Sequence, residues 1–192
     1  MKSKLVNINA LILLGGKSLR MGSDKAKLIY HKKPQQEHVF DLLCNFFPQE
    51  RIYYSVRKNQ TIKNKKCITD KYPDLGPFGG ILSAFEHDNT KAWFVIAIDL
   101  PFIEEQHLKT LFTNRDISKI ATTFKAKDKN FPEPLITIWE QQTYSILLKQ
   151  LIEKKYSLIS ILKNNPIKSV VIDNHFIQNI NTQQEFKKIK GN

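Results

Sequence analysis

The chain has 192 residues, 41% hydrophobic and 10% aromatic, which excludes a disordered polymer and suits one globular α/β domain over residues 1–192. Its net charge is +12, and residues 1–96 carry 16 of the bases against 8 acids, a field that draws anions. No arginine-rich run and no RRM, KH or helix-turn-helix pattern accompanies that charge, so an anionic small molecule is expected rather than nucleic acid.

In chain order, the first predicted strand is Ile8–Leu14, and it runs into Leu13–Lys25, LLGGKSLRMGSDK. Glycines allow positive φ and close approach of a ligand to the backbone. Free N–H groups in such a turn form an anion-binding concavity, which Lys17, Arg20 and Lys25 complement with charge. The loop is neither a G-x-x-x-x-G-K-[ST] P-loop nor a G-x-G-x-x-G dinucleotide fingerprint. The apolar stretch is too short and too abruptly ended by Gly15-Gly16 for a signal peptide. Phe40, Leu43, Cys44 and Phe47 then recur at helical spacing, with Cys44 read as a small buried hydrophobe. Cys44 and Cys67 make no C-x-x-C pair, so neither a zinc site nor a disulfide framework is indicated.

The next strands are Arg51–Val56 and Lys66–Thr69, joined by an exposed connection over Lys58–Lys66. Asp70 ends the second of these and opens a loop stiffened by Pro73 and Pro77 and loosened by Gly76, Gly79 and Gly80. This is either a strand-to-helix turn or a nucleotide pocket in which a carboxylate takes the N1–H and N2–H₂ edge of guanine. A helix over Gly79–His87 follows, then the apolar strand Trp93–Ile98. Asp99 stands at its carboxyl end, where open α/β sheets bind ligands. A hard divalent cation, Mg²⁺ above all, would offset the cost of burying that carboxylate; the competing reading is a turn or capping aspartate.

A helix over Glu104–Phe112, strands Ser118–Phe124 and Leu135–Trp139, a helix through Tyr144–Ile152 and a strand Lys168–Ile172 complete the alternation. Glu133, bracketed by Pro132 and Pro134, lines a second-substrate cleft or stiffens a turn. Asn179 and Asn181 precede Thr182, whose spacing to Glu185 predicts a capping box at a last helix, and both could offer amides to a ligand. The five histidines have no metal-ligand spacing and are expected at the surface. No apolar run approaches a membrane span, so neither a membrane partner nor any compartment but the cytoplasm is expected.

Taken together, Leu13–Ala26, Gly76-Pro-Phe-Gly-Gly-Ile81, Asp99-Leu-Pro-Phe102 and Asn179-Ile-Asn-Thr-Gln-Gln-Glu185 resemble, in order, the signatures of the molybdenum cofactor guanylyltransferase family. Leu14 stands for that family's alanine, Ile98 for its common cysteine, and Ser55 for a frequent asparagine. The resemblance implies a three-layer α/β/α Rossmann-like nucleotidyltransferase fold with a mainly parallel central sheet. It also implies Mg²⁺-dependent transfer of GMP from GTP to the phosphate of molybdenum-molybdopterin. Leu13, Leu14, Gly15 and Gly16 would then contact the guanine nucleotide, with Ser55 and Asp70 beside it. Lys25 and Arg20 would hold the phosphates and Asp99 the metal, while Glu133, Asn179 and Asn181 are candidates for the second substrate. Implied partners are GTP, molybdopterin, and the molybdenum-insertion and molybdoenzyme maturation proteins. The alternatives are a relative that uses CTP or a sugar or polyol phosphate, a nucleic-acid-binding module, and a non-catalytic nucleotide-binding regulator.

Overall fold

The computed structural model describes residues 5–14, 33–178, 180 and 185. Among these residues seven strands form one sheet: β1 (Ile8–Leu13), β2 (Ile52–Val56), β3 (Lys66–Thr69), β4 (Ala92–Ala97), β5 (Ala121–Ala126), β6 (Pro132–Trp139) and β7 (Ile167–Ile172). Their spatial order is β3-β2-β1-β4-β6-β5-β7, and every neighbouring pair is parallel except those made by β6. β1 and β4 are buried at every position, as strands covered on both faces must be.

Helices α1 (Gln35–Cys44) and α3 (Glu105–Thr113) cover one face, and α2 (Pro77–His87), α4 (Thr143–Ile152) and α5 (Leu158–Asn164) the other. Alternate residues of the same strand therefore feed two cores. Ala10 and Ile12 pack with Phe40, Leu43, Leu111 and Phe112, while Leu11 and Leu13 pack with Phe78, Leu82, Phe85 and Leu147. This is the expected three-layer, mainly parallel architecture.

Several local expectations are corrected. The β5–β6 connection is only a few residues long, too short for a crossover, so β6 must return antiparallel. β6 also starts at Pro132 rather than Leu135, which puts Glu133 inside the strand instead of in a turn before it. β5 starts later than Ser118 because Asp116 accepts from both the N–H and the hydroxyl of Ser118, closing a local turn. The seven-residue α5, capped by Ser157 through the Ser160 N–H, was not expected.

His107 is buried, not at the surface, because its Nδ1 accepts the Glu104 N–H in a capping box while its ring packs on Phe176. Burial accordingly pulls its pKa below the usual histidine value, against the opposing charge of Glu104. Cys44 is half-buried rather than buried, and both cysteines are free. The predicted helix after Thr182 lies largely outside the described residues. Among the described residues, no helix is long and apolar enough to cross a membrane.

Candidate active site

Parallel strands β1, β2, β3 and β4 all end on one edge of the sheet. Register keeps Leu13 level with Ser55 and with Ala97, and Val56 level with Thr69. Between these ends opens a cavity of ≈ 440 Å³, lined by Leu13, Leu14, Ser55, Asp70 and Asp99, and by Gly76 and Gly80 of the loop into α2. Five residues singled out in the sequence thus meet at one place. Gly15, Gly16, Arg20, Lys25, Asn179 and Asn181 lie outside the described residues.

Asp70 is held by its own loop. Its N–H donates to the Val56 carbonyl at 2.8 Å, continuing the β2–β3 ladder one step, and its Oδ1 accepts the Tyr72 N–H at 2.8 Å. Burial raises its pKa, although the Tyr72 N–H and the Ser83 hydroxyl pull the other way. The loop is fastened to α2 at two further points: Ser83 Oγ accepts the Lys71 N–H at 2.9 Å, and Tyr72 donates its hydroxyl to Glu86 at 2.7 Å.

Two glycines allow this close docking. A Cβ on Gly79 would lie 2.2 Å from the Tyr72 carbonyl oxygen and 2.9 Å from Asp70 Oδ1. One on Gly80 would lie 2.8 Å from Ser55 Oγ and 3.1 Å from Leu13 Cδ2. Gly79→Ala is therefore expected to destabilise the fold by about 1–3 kcal/mol, because the first obstacle is backbone that cannot rotate away. The urea midpoint measures that loss, and a variant as stable as the parent would show that the α2–loop contact yields without cost.

Asp99 follows β4 by two residues, and its backbone carbonyl accepts the Ile180 N–H at 2.8 Å. The chain beyond β7 is thereby tied to the turn that carries this carboxylate. The reversed direction of β6 brings Glu133 to the same end of the sheet, since Ile136 pairs with Ile96 and Glu133 lies further toward the β4 exit. Glu133 is buried; its carbonyl accepts the hydroxyls of Thr123 and Thr137, both at 2.7 Å, and its carboxylate takes the Leu135 N–H at 3.1 Å. Burial raises its pKa, the Leu135 N–H and Lys129 oppose this, and the charge of Asp99 adds to it. Two carboxylates whose charges disfavour each other suit a hard divalent cation. Among the described residues no set of three or more His, Cys, Asp or Glu side chains gathers around a metal position.

Arg57, Gln60 and Asp74 also line the cavity and were not foreseen. Arg57 immediately follows β2, so its signal was a cation placed one step beyond a strand that pairs with β1.

A family model described as MobA-like NTP transferase domain matches residues 10–168. A "Molybdenum cofactor biosynthesis bifunctional protein" of Synechocystis is 31% identical over 93% of this chain, which spans only 52% of that longer protein. A "Probable molybdenum cofactor guanylyltransferase" of Flavobacterium johnsoniae is 26% identical, covering 96% of this chain and 97% of its own. Among solved structures, molybdopterin-guanine dinucleotide biosynthesis protein A of Archaeoglobus fulgidus has the same fold, with a TM-score of 0.75 at 20% identity over 95% of this chain and 97% of that one. With the family model spanning strands β1 to β6 and every described wall of the cavity, this chain belongs to the MobA-like NTP transferase domain family.

Proposed function

We propose that this protein transfers GMP from GTP to the phosphate of molybdenum-molybdopterin, yielding the guanine dinucleotide cofactor and pyrophosphate. The observation that carries this reading is the meeting of Leu13, Leu14, Ser55, Asp70 and Asp99 around one cavity at the carboxyl ends of β1, β2, β3 and β4. The names borne by the full-length relatives point the same way.

In the reaction, a phosphate oxygen of the acceptor attacks the α-phosphorus of GTP, and the bond from that phosphorus to the bridging oxygen of the β-phosphate breaks. Such transfers depend on positioning and charge stabilisation rather than on a nucleophilic side chain. Gly15 and Gly16, with Arg20 and Lys25, are assigned to stabilising the departing pyrophosphate. Asp70 binds the nucleoside end, Leu13 and Leu14 and the shorter Ser55 contact it, and Glu133, Asn179 and Asn181 are assigned to the acceptor. A Mg²⁺ ion would be held by Asp99, with Glu133 beside it, and would neutralise charge on the phosphate oxygens. Since no third His, Cys, Asp or Glu side chain gathers there among the described residues, nucleotide oxygens and water would complete its shell. Its partners are GTP, the molybdopterin acceptor and the proteins that insert molybdenum or mature molybdoenzymes.

The test is pyrophosphate release with each of the four nucleoside triphosphates, with and without molybdenum-loaded molybdopterin and Mg²⁺. Release is expected with GTP alone and only when acceptor is present. Equal or greater release with CTP, or release driven by a sugar or polyol phosphate, would assign the chain to a different transferase; GTP binding without release would make it a regulator.

A further inference from the structure

Arg57 leaves the end of β2 into the wall of the cavity, yet no carboxylate pairs with its guanidinium among the described residues. Its backbone is fixed from both sides: the Gln60 N–H donates to the Arg57 carbonyl at 3.0 Å, and Gln60 Oε1 accepts the Arg57 N–H at 3.2 Å. This reciprocal turn makes a defined lip that projects the fork of donors. Next to it, one strand further out, Asp70 is held by the same strand end, its N–H on the Val56 carbonyl. The wall over β2 and β3 therefore offers a donor fork and a carboxylate acceptor side by side.

Strand order decides what meets that wall. β2 and β4 flank β1, so the Arg57 end stands two strand spacings, about 10 Å, from the Asp99 end. On the proposed function, a triphosphate held at Asp99 would extend its nucleoside toward β2 and β3. Guanine carries acceptors O6 and N7 on one edge and donors N1–H and N2–H₂ on another, which is the complement of this wall. Adenine puts a donor where O6 would be, and cytosine has no N7.

Resting on the proposed use of GTP, we infer that Arg57 is a specificity-determining residue that donates in bidentate fashion to O6 and N7 of the guanine base. The probe is 7-deaza-GTP, which keeps every phosphate and the Watson–Crick edge but replaces N7 with C–H. Calorimetric titration without acceptor measures GTP and 7-deaza-GTP binding to the parent, Arg57→Ala and Arg57→Lys. The parent is expected to bind GTP about tenfold more tightly than 7-deaza-GTP. Arg57→Ala is expected to lose more affinity for GTP, which offers both O6 and N7, than for 7-deaza-GTP, which offers O6 alone, so that the ratio falls to about one. Arg57→Lys keeps the charge without the fork and is expected to behave the same way.

A parent ratio of one overturns the base contact, as does an equal loss for both nucleotides in Arg57→Ala, which would place the guanidinium on phosphate. A lysine variant that retains the full ratio overturns the bidentate geometry. No GTP binding by the parent removes the proposed function together with this contact, whereas a parent ratio of one on a protein that still transfers GMP removes the contact alone.

Discussion

Replacing Asp99 with alanine is expected to lower GMP transfer by about 10²–10³-fold or more, with no comparable loss of thermal stability. On the proposed function that carboxylate would hold a cation against the triphosphate, and its loss would remove the charge stabilisation on which such transfers depend. Stability is expected to hold because a backbone bond fastens this turn, the Ile180 N–H on the Asp99 carbonyl, and alanine retains it. β4 itself is fixed by its apolar residues between β1 and β6. Asp99→Asn, with the same shape and no charge, should fall nearly as far, which separates electrostatics from packing. Turnover within a few-fold of the parent in both variants would refute the assignment. If the loss instead tracks a lowered melting temperature, the carboxylate is structural.

The fold was readable where burial writes itself into the residues. β4 is apolar throughout and β1 apolar but for Asn9 because helices cover both faces, and the α2 segment follows from Pro77 and the glycines beneath it. The direction of β6 was not readable from its periodicity, which is the same for either orientation; the shortness of the segment before Pro132 was the available clue. α5 is too short to show more than one apolar turn, Leu158, Ile161 and Leu162, and such a run suits a strand equally well.

At the site, Asp70 and Asp99 stood out because a carboxylate ending an apolar run demands compensation. Arg57 did not, because a cation entering a lysine-rich connection looks like any solvated surface charge. Its meaning comes from the neighbouring strand ends and from Gln60, relations that exist only once the chain is folded. Glu133 fell between: the prolines marked it, but only the antiparallel return of β6 carries it to Asp99.

The other large effect is expected at the opposite end of the sheet. Arg115 donates through Nε to Glu140 Oε1 at 2.7 Å and through a terminal nitrogen to Oε2 at 2.8 Å, and each side chain is only 5% exposed. The remaining terminal nitrogen reaches the Val6 carbonyl at 3.2 Å, just before β1. Glu140 is itself placed by its N–H on the Ile120 carbonyl at 2.8 Å. The pair thus joins the entry to β1, the segment after α3 and the end of β6.

Arg115→Ala leaves a buried carboxylate uncompensated and is expected to cost about 3–5 kcal/mol, read from the urea midpoint at constant m-value. Replacing both partners with apolar residues of similar volume, Arg115→Met with Glu140→Leu, is expected to recover most of that loss, because the larger share of the penalty is the stranded charge rather than the missing attraction. Transfer activity measured well below the melting temperature should stay near the parent in every variant, since the cavity lies at the other ends of β1 and β4. A single substitution costing less than about 1 kcal/mol would mean that water reaches Glu140 and the pair is no more than a surface contact.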